Sequence, residues 1–191
     1  MNKLICIAGM CGSGKSEVSN FFVDRGFSYV RFGQITLDEI QKRGLEVSED
    51  NERKFREDFR KEHGQGAYAI LNIPKFDEAL KNSNTIGDGL YSWSEYKVLK
   101  EKYGDNFIVI AVYASPSTRY SRLERRAERH ENDKENRFRS ISKEKAQSRD
   151  YADIENIEKA GPIAMADFTV VNEGTLEDLK NNLENIYNKI F

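Results

Sequence analysis

The stretch GMCGSGKS at residues 9–16 restricts what this chain can fold into more than any other part of it. It follows the apolar run LICIA directly, so the chain must leave a strand, turn through glycines and enter a helix near Lys15. Gly9, Gly12 and Gly14 permit a tight turn whose backbone N–H groups face an anion. The helix predicted over SEVSNFFVDRG adds its positive N-terminus at the same point, with Glu17 in its first turn. The pattern G-x-x-x-x-G-K-[ST] is complete, with a strand before it and a helix after it. In such a loop Lys15 reaches the β- and γ-phosphates, the hydroxyl of Ser16 suits Mg²⁺, and Ser13 lies within the cradle. The motif points to a nucleoside triphosphate such as ATP.

Four further strand-sized apolar runs follow, FSYVRF (27–32), NTIGDG (84–89), FIVIAVYA (107–114) and ADFTVVN (166–172). Helix-like segments separate them, which is the alternation of an α/β fold with a mostly parallel sheet. A length of 191 residues suits a single domain with its own core. The segment TLEDLKNNLENIYNKI reads as a terminal helix, with Leu176, Leu179, Leu183, Ile186 and Ile190 on one face. Thr175 is its expected N-cap, and Asp178 three residues on comes close to a capping box.

Two stretches are too polar for ordinary core helices, residues 48–66 and 122–150. Charge runs are usually solvated faces. In a parallel sheet, however, inserts at these places project beyond the carboxyl ends of the strands, where ligands bind. The formal net charge is −2, so no overall basic field invites nucleic acid. Two cysteines are too few for a disulfide framework, and no run approaches the ~20 apolar residues of a membrane span, which points to a cytoplasmic protein.

Asp88 closes the third apolar run, where a carboxylate would face Mg²⁺ or accept a proton from an acceptor. Arg119, Arg122 and Arg126 share one helical face, with Arg125 and Arg129 beside them. Arg122 and Arg126 are the first candidates for phosphate contacts, and Arg149 is a candidate second clamp. Arg53, Arg56 and Arg60 repeat the spacing in the other insert, for an acceptor phosphate or for a surface helix. His63 and His130 have no partners at metal-ligand spacing.

With these residues placed, the chain resembles P-loop kinases of the adenylate kinase and dephospho-CoA kinase type. The resemblance rests on the loop, on YVRFGQITLDEI (29–40), on DGLYSWSEY (88–96) and on ADFTVVNEGTLEDL (166–179). It implies a five-stranded parallel sheet wrapped by helices, an acceptor region over 34–66 and a helical lid over 119–150. It also implies adenine contacts from Asn172 and Gly174, and acceptor contacts from Arg31, Gln34 and Asp38. Where dephospho-CoA kinases carry an acidic residue soon after the second strand, this chain has Gln34, and an amide is no base. The base is then Asp38 or Asp88, or the acceptor is a phosphate oxyanion that needs none. The expected activity is Mg²⁺- and ATP-dependent phosphorylation of a small nucleotide-like molecule. Two other readings stay open: a nucleotide-dependent ATPase or switch acting on a protein, and a kinase acting on polynucleotide ends.

Overall fold

A computed structural model of the chain describes residues 1–127 and 140–191. The apolar runs become five strands, β1 (Leu4–Ala8), β2 (Ser28–Arg31), β3 (Thr85–Leu90), β4 (Phe107–Tyr113) and β5 (Phe168–Val171). All neighbours pair in parallel, in the order β2-β3-β1-β4-β5, which is the expected five-stranded α/β sheet. The central strand β1 is buried throughout because helices cover both faces, and parallel strands in that position read as unbroken apolar runs.

On one face Ile5 and Ile7 pack with Phe21 and Phe22 of α1 (Lys15–Val23) and with Leu183 and Ile186 of α9 (Leu176–Ile190). On the other, Leu4 and Cys6 pack with Tyr68 and Phe76 of α4 (Ala67–Ala79) and Leu99 of α5 (Trp93–Tyr103). The capping box expected at the start of α9 forms in both directions between Thr175 and Asp178. Leu176, expected on the buried face of that helix, lies half-exposed in its first turn.

The polar inserts are helices. Residues 48–66 form α3 (Glu49–His63), following α2 (Gln34–Lys42), and Ser48 caps α3 by accepting the Asn51 N–H at 3.3 Å. The chain from β4 enters α6 (Pro116–Glu124), and α7 (Lys143–Ile157) and the short α8 (Ala160–Ala164) lead into β5. Residues 128–139, with Arg129 and His130, lie outside the described residues. The flanks of the segment expected as a lid are joined low down. Arg119 of α6 pairs with Asp150 of α7 at 2.6 Å, both buried, and the Tyr120 hydroxyl donates to the same carboxylate at 3.0 Å.

Asp88 does not close its strand, which continues to Leu90. Ile7 stands opposite Asp88 and Ala8 opposite Leu90, so Gly89 is an extra residue, bulged at φ +90°. A bulge of this kind redirects neighbouring side chains, and this one falls at the edge of the cleft described next.

Candidate active site

The loop between β1 and α1 sits at the carboxyl end of the central strand and opens into a cleft of about 660 Å³. Gly9, Gly12 and Gly14 all take positive φ, as the motif requires. At Gly14 (φ +98°) a Cβ would lie 2.2 Å from Asn172 Nδ2, so no other residue fits there without moving that side chain. Lys15 begins α1, and its ammonium donates to the carbonyls of Gly9 and Met10, each at 3.0 Å. Burial pushes its pKa down to about 8, and the charge of Lys159 pushes in the same direction. Ser16 and Glu17 also line the cleft, while Ser13 is fully buried beneath the loop.

Asn172, expected beside an adenine, is buried, and its amide Nδ2 donates to the Ser13 carbonyl at 2.9 Å. Its own carbonyl accepts from Arg122 at 3.0 Å. It ties the end of β5 to the loop and to α6. Gly174 lines the cleft beside it. The arginines expected as one set divide in two. Arg122 and Arg126 line the cleft, joined by Arg149 of α7. Arg119 is buried and holds the loop, donating to the carbonyls of Cys11 at 3.1 Å and Ala114 at 3.0 Å. Arg125 stands outside the lining.

Asp88 reaches the cleft with one carboxylate oxygen held by the Tyr29 hydroxyl at 2.7 Å. Arg31, two residues along the same strand face as Tyr29, is in the lining, and its buried Nη1 has no hydrogen-bond partner among the described residues. Gln34 and Asp38, expected to contact an acceptor, stand outside the residues lining this cleft. They hydrogen-bond to each other at 2.8 Å, one turn apart on α2. In the other insert, Arg56 and Arg60 of α3 enter the cleft, whereas Arg53 pairs with Glu57 away from it. Arg60 pairs with the buried Glu95 at 3.1 Å and lies over the Tyr68 ring. His63 is a half-exposed neighbour of Phe59 and Glu62.

Sequence reasoning missed Lys159, Tyr29 and Tyr91. Lys159 follows α7 in an unremarkable EKAG stretch, and no local pattern marks it. Its ion-pair partner Asp153 is six residues back, and the Tyr91 ring beside it comes from far earlier in the chain.

The cleft is strongly cationic although the chain as a whole is slightly acidic. Lys15, Lys159 and six arginines line it against Glu17, Glu52 and Asp88. The thiol of Cys11 senses that field. Burial alone would raise its pKa, but Arg149, Lys15 and Arg126 together hold it below the ordinary value. The oxygen donors Ser16 and Asp88 share the cleft, and no group of three or more His, Cys, Asp or Glu among the described residues could hold a metal. That sparse, all-oxygen set fits Mg²⁺, which keeps waters and takes further ligands from phosphates.

Residues 5–147 match the AAA domain family. Over 98% of its length the chain is 33% identical to a UPF0200 protein of Thermococcus kodakarensis, covering 97% of that protein. It belongs to the AAA domain and UPF0200 families. A second UPF0200 protein, from Methanocaldococcus jannaschii, is 32% identical over 188 residues, covering 98% of this chain and 90% of that one. Among solved structures this UPF0200 chain is similar to shikimate kinase from Acinetobacter baumannii, with a TM-score of 0.56 and 14% identity over 100% of this chain and 95% of that one. It is also similar to a gluconokinase from Sinorhizobium meliloti, with a TM-score of 0.52 and 14% identity over 99% and 98% of the two chains. At these identities the likeness shows the fold, that of the P-loop kinases. No helix among the described residues is long and apolar enough to cross a membrane.

The low pKa of Lys15 predicts a proton linkage. Above pH 8 its side chain is largely neutral in this conformation, and anionic phosphate oxygens beside it would raise its pKa again. Nucleotide binding should therefore take up a proton, approaching one per site at about pH 9, and affinity should fall as pH rises through 8. Calorimetry in buffers of different ionisation heat measures this uptake directly. At about pH 6.5 the contribution from Lys15 should vanish, because it is protonated in both states.

Proposed function

We propose that this protein is a Mg²⁺- and ATP-dependent kinase that transfers the γ-phosphoryl group to a nucleotide or nucleotide-like acceptor, of the nucleoside monophosphate or dephospho-CoA class. One observation carries the reading: a complete phosphate loop and a second cationic wall, from β2 and α3, open into the same cleft. The whole chain acts as one kinase domain, with residues 34–66 forming the acceptor side and 119–150 the lid.

The amides of the 12–16 loop and Lys15 hold the donor phosphates. Asn172 acts from beneath by fixing the loop, and Gly174 leaves room beside the base. Ser16 and Asp88 would hold Mg²⁺, which would offset the charge of the phosphates when bound. Tyr29 fixes one oxygen of Asp88 and leaves the other as an acceptor. Arg122, Arg126 and Arg149 stabilise the charge on the transferring group, as guanidinium groups do in phosphoryl transfer.

The acceptor enters between Arg31, Arg56 and Arg60. The place where a dephospho-CoA kinase carries a carboxylate holds Gln34 here, and its amide donates to Asp38 on α2. An acceptor phosphate brings an oxygen that is already ionised and needs no base. Nucleoside monophosphates therefore lead the two acceptor classes.

The test is ADP release from Mg-ATP, with and without a panel of ribo- and deoxynucleoside monophosphates and dephospho-CoA. Stimulation by a monophosphate supports the reading and names the acceptor. Stimulation by dephospho-CoA alone would move the base to Asp88. Slow hydrolysis unchanged across the panel would replace the kinase with an ATPase or switch that acts on a protein partner.

A further inference from the structure

Lys159 is a buried lysine in the wall of a cleft that already contains the phosphate-loop lysine. It is 1% exposed, and its side chain lies among the residues lining the cleft. Its position is fixed by the way α7 ends. Glu158 takes a left-handed conformation (φ 53°), the only positive φ outside glycine among the described residues. The Lys159 N–H then donates back to the Asp153 carbonyl, six positions earlier, at 3.1 Å, which fastens the turn to the end of α7. A helix usually makes this turn with glycine, so a glutamate here accepts backbone strain.

The turn delivers the ammonium to two partners. Nζ donates to Asp153 Oδ2 at 2.6 Å and stands 4.8 Å from the centre of the Tyr91 ring. An ammonium carries three N–H donors, and one carboxylate oxygen and one ring face leave it capacity for an anion. The partners also hold it in place. Burial alone would raise the Asp153 carboxyl, but Lys159 and Arg149 outweigh that and hold it at about 2, so the carboxylate stays charged throughout the neutral range. Lys159 is close enough to Lys15 for its charge to lower the pKa of that lysine. Two cations brought this near each other in a buried cleft repel unless an anion joins them.

We propose that Lys159 is a further catalytic residue, donating a hydrogen bond to a non-bridging oxygen of the phosphoryl group as it passes from donor to acceptor. This rests on the kinase reading. In the step itself an acceptor oxygen bonds to the γ-phosphorus, and the bond from that phosphorus to the β–γ bridging oxygen breaks. ADP leaves with the electron pair. Lys159 keeps its proton and stabilises charge as it spreads over the transferring oxygens. Tyr91 and Asp153 set its direction.

The test compares Lys159→Met, Asp153→Asn and the double variant Lys159→Gln with Asp153→Asn, which replaces the ion pair by an uncharged hydrogen bond. Lys159→Met should lower kcat by about 100-fold and raise KM for ATP by about tenfold. Asp153→Asn, which keeps the ammonium and loses only its fixed direction, should lower kcat by a smaller factor, about tenfold. If Lys159→Met fails to fold, the double variant takes its place with the same expected loss. A kcat within about threefold of wild type in the folded Lys159 variant overturns the proposal, as does an equal loss in Asp153→Asn. If the wild-type chain shows no acceptor-stimulated ADP release, the kinase reading fails separately, and the Lys159 contact is judged on binding of inorganic tripolyphosphate. A loss of affinity of about tenfold or more in the Lys159 variant alone then supports a phosphate contact, and unchanged affinity overturns it.

Discussion

Replacing Lys15 with alanine should lower acceptor-stimulated ADP release by on the order of 10³-fold, with no loss of stability. The two halves of this expectation have one cause. Lys15 is the one lysine within the phosphate loop, and its charge is set where donor and transferring phosphates lie. Arginines elsewhere in the cleft come from β2, α3, α6 and the turn after it, and α7, and none lies within the loop to replace it. The fold, in turn, gains little from this cation. Burial and Lys159 disfavour its charged form, so the folded state carries an electrostatic cost at neutral pH that alanine removes. The two hydrogen bonds to Gly9 and Met10 work the other way. The unfolding midpoint should therefore be unchanged or raised. Circular dichroism melts beside the activity assay separate the two effects, and full activity in the variant would remove the phosphate loop from the mechanism.

The largest effect on stability should come from Arg119, three residues before an arginine given a quite different role. Arg119→Met removes a buried guanidinium that serves Asp150, the Cys11 carbonyl and the Ala114 carbonyl together. What remains is a buried carboxylate that keeps, among the described residues, the Tyr120 hydroxyl, and breaking one side of such a pair costs about 3–5 kcal/mol. For a chain of this size that corresponds to a fall on the order of 10 °C in Tm. Replacing Asp150 and Arg119 together, with apolar residues of similar volume, should recover much of the loss. A fall below about 2 °C in the single variant would show that the pair is not buried as described.

Much of the fold was legible because its signals are local. The phosphate loop is a short word with one structural context, the strands are unbroken apolar runs, and the Thr175–Asp178 box closes within four residues. Of the residues singled out for the site, Lys15, Ser16, Asp88 and Arg122 line one cleft, on the loop and α1, on β3 and on α6. Elsewhere the sequence carried no usable signal. Gln34 and Asp38 were drawn towards an acceptor by resemblance, and their one-turn hydrogen bond on α2 is not marked by that resemblance. Arg119 and Arg122 look alike in sequence, and only partners from other elements tell the anchor from the cleft residue. Lys159 is placed by the end of α7 and by Tyr91, which lies far earlier in the chain, and periodicity does not record such a meeting. Gly89 looked like the end of a strand because a bulge and a turn use the same residue.

The two grips on the phosphate loop have a consequence for the cost of binding. Arg119 holds the carbonyl of Cys11 and Asn172 holds that of Ser13. A trans peptide is planar, so its N–H points opposite to its carbonyl. Fastening those two oxygens also aims the N–H groups of Gly12 and Gly14. The loop's donors are thus pre-organised, and a triphosphate does not have to supply the entropy of ordering them. Asn172→Ala should weaken nucleotide binding through added loop freedom, with a more unfavourable binding entropy, whichever base the nucleotide carries.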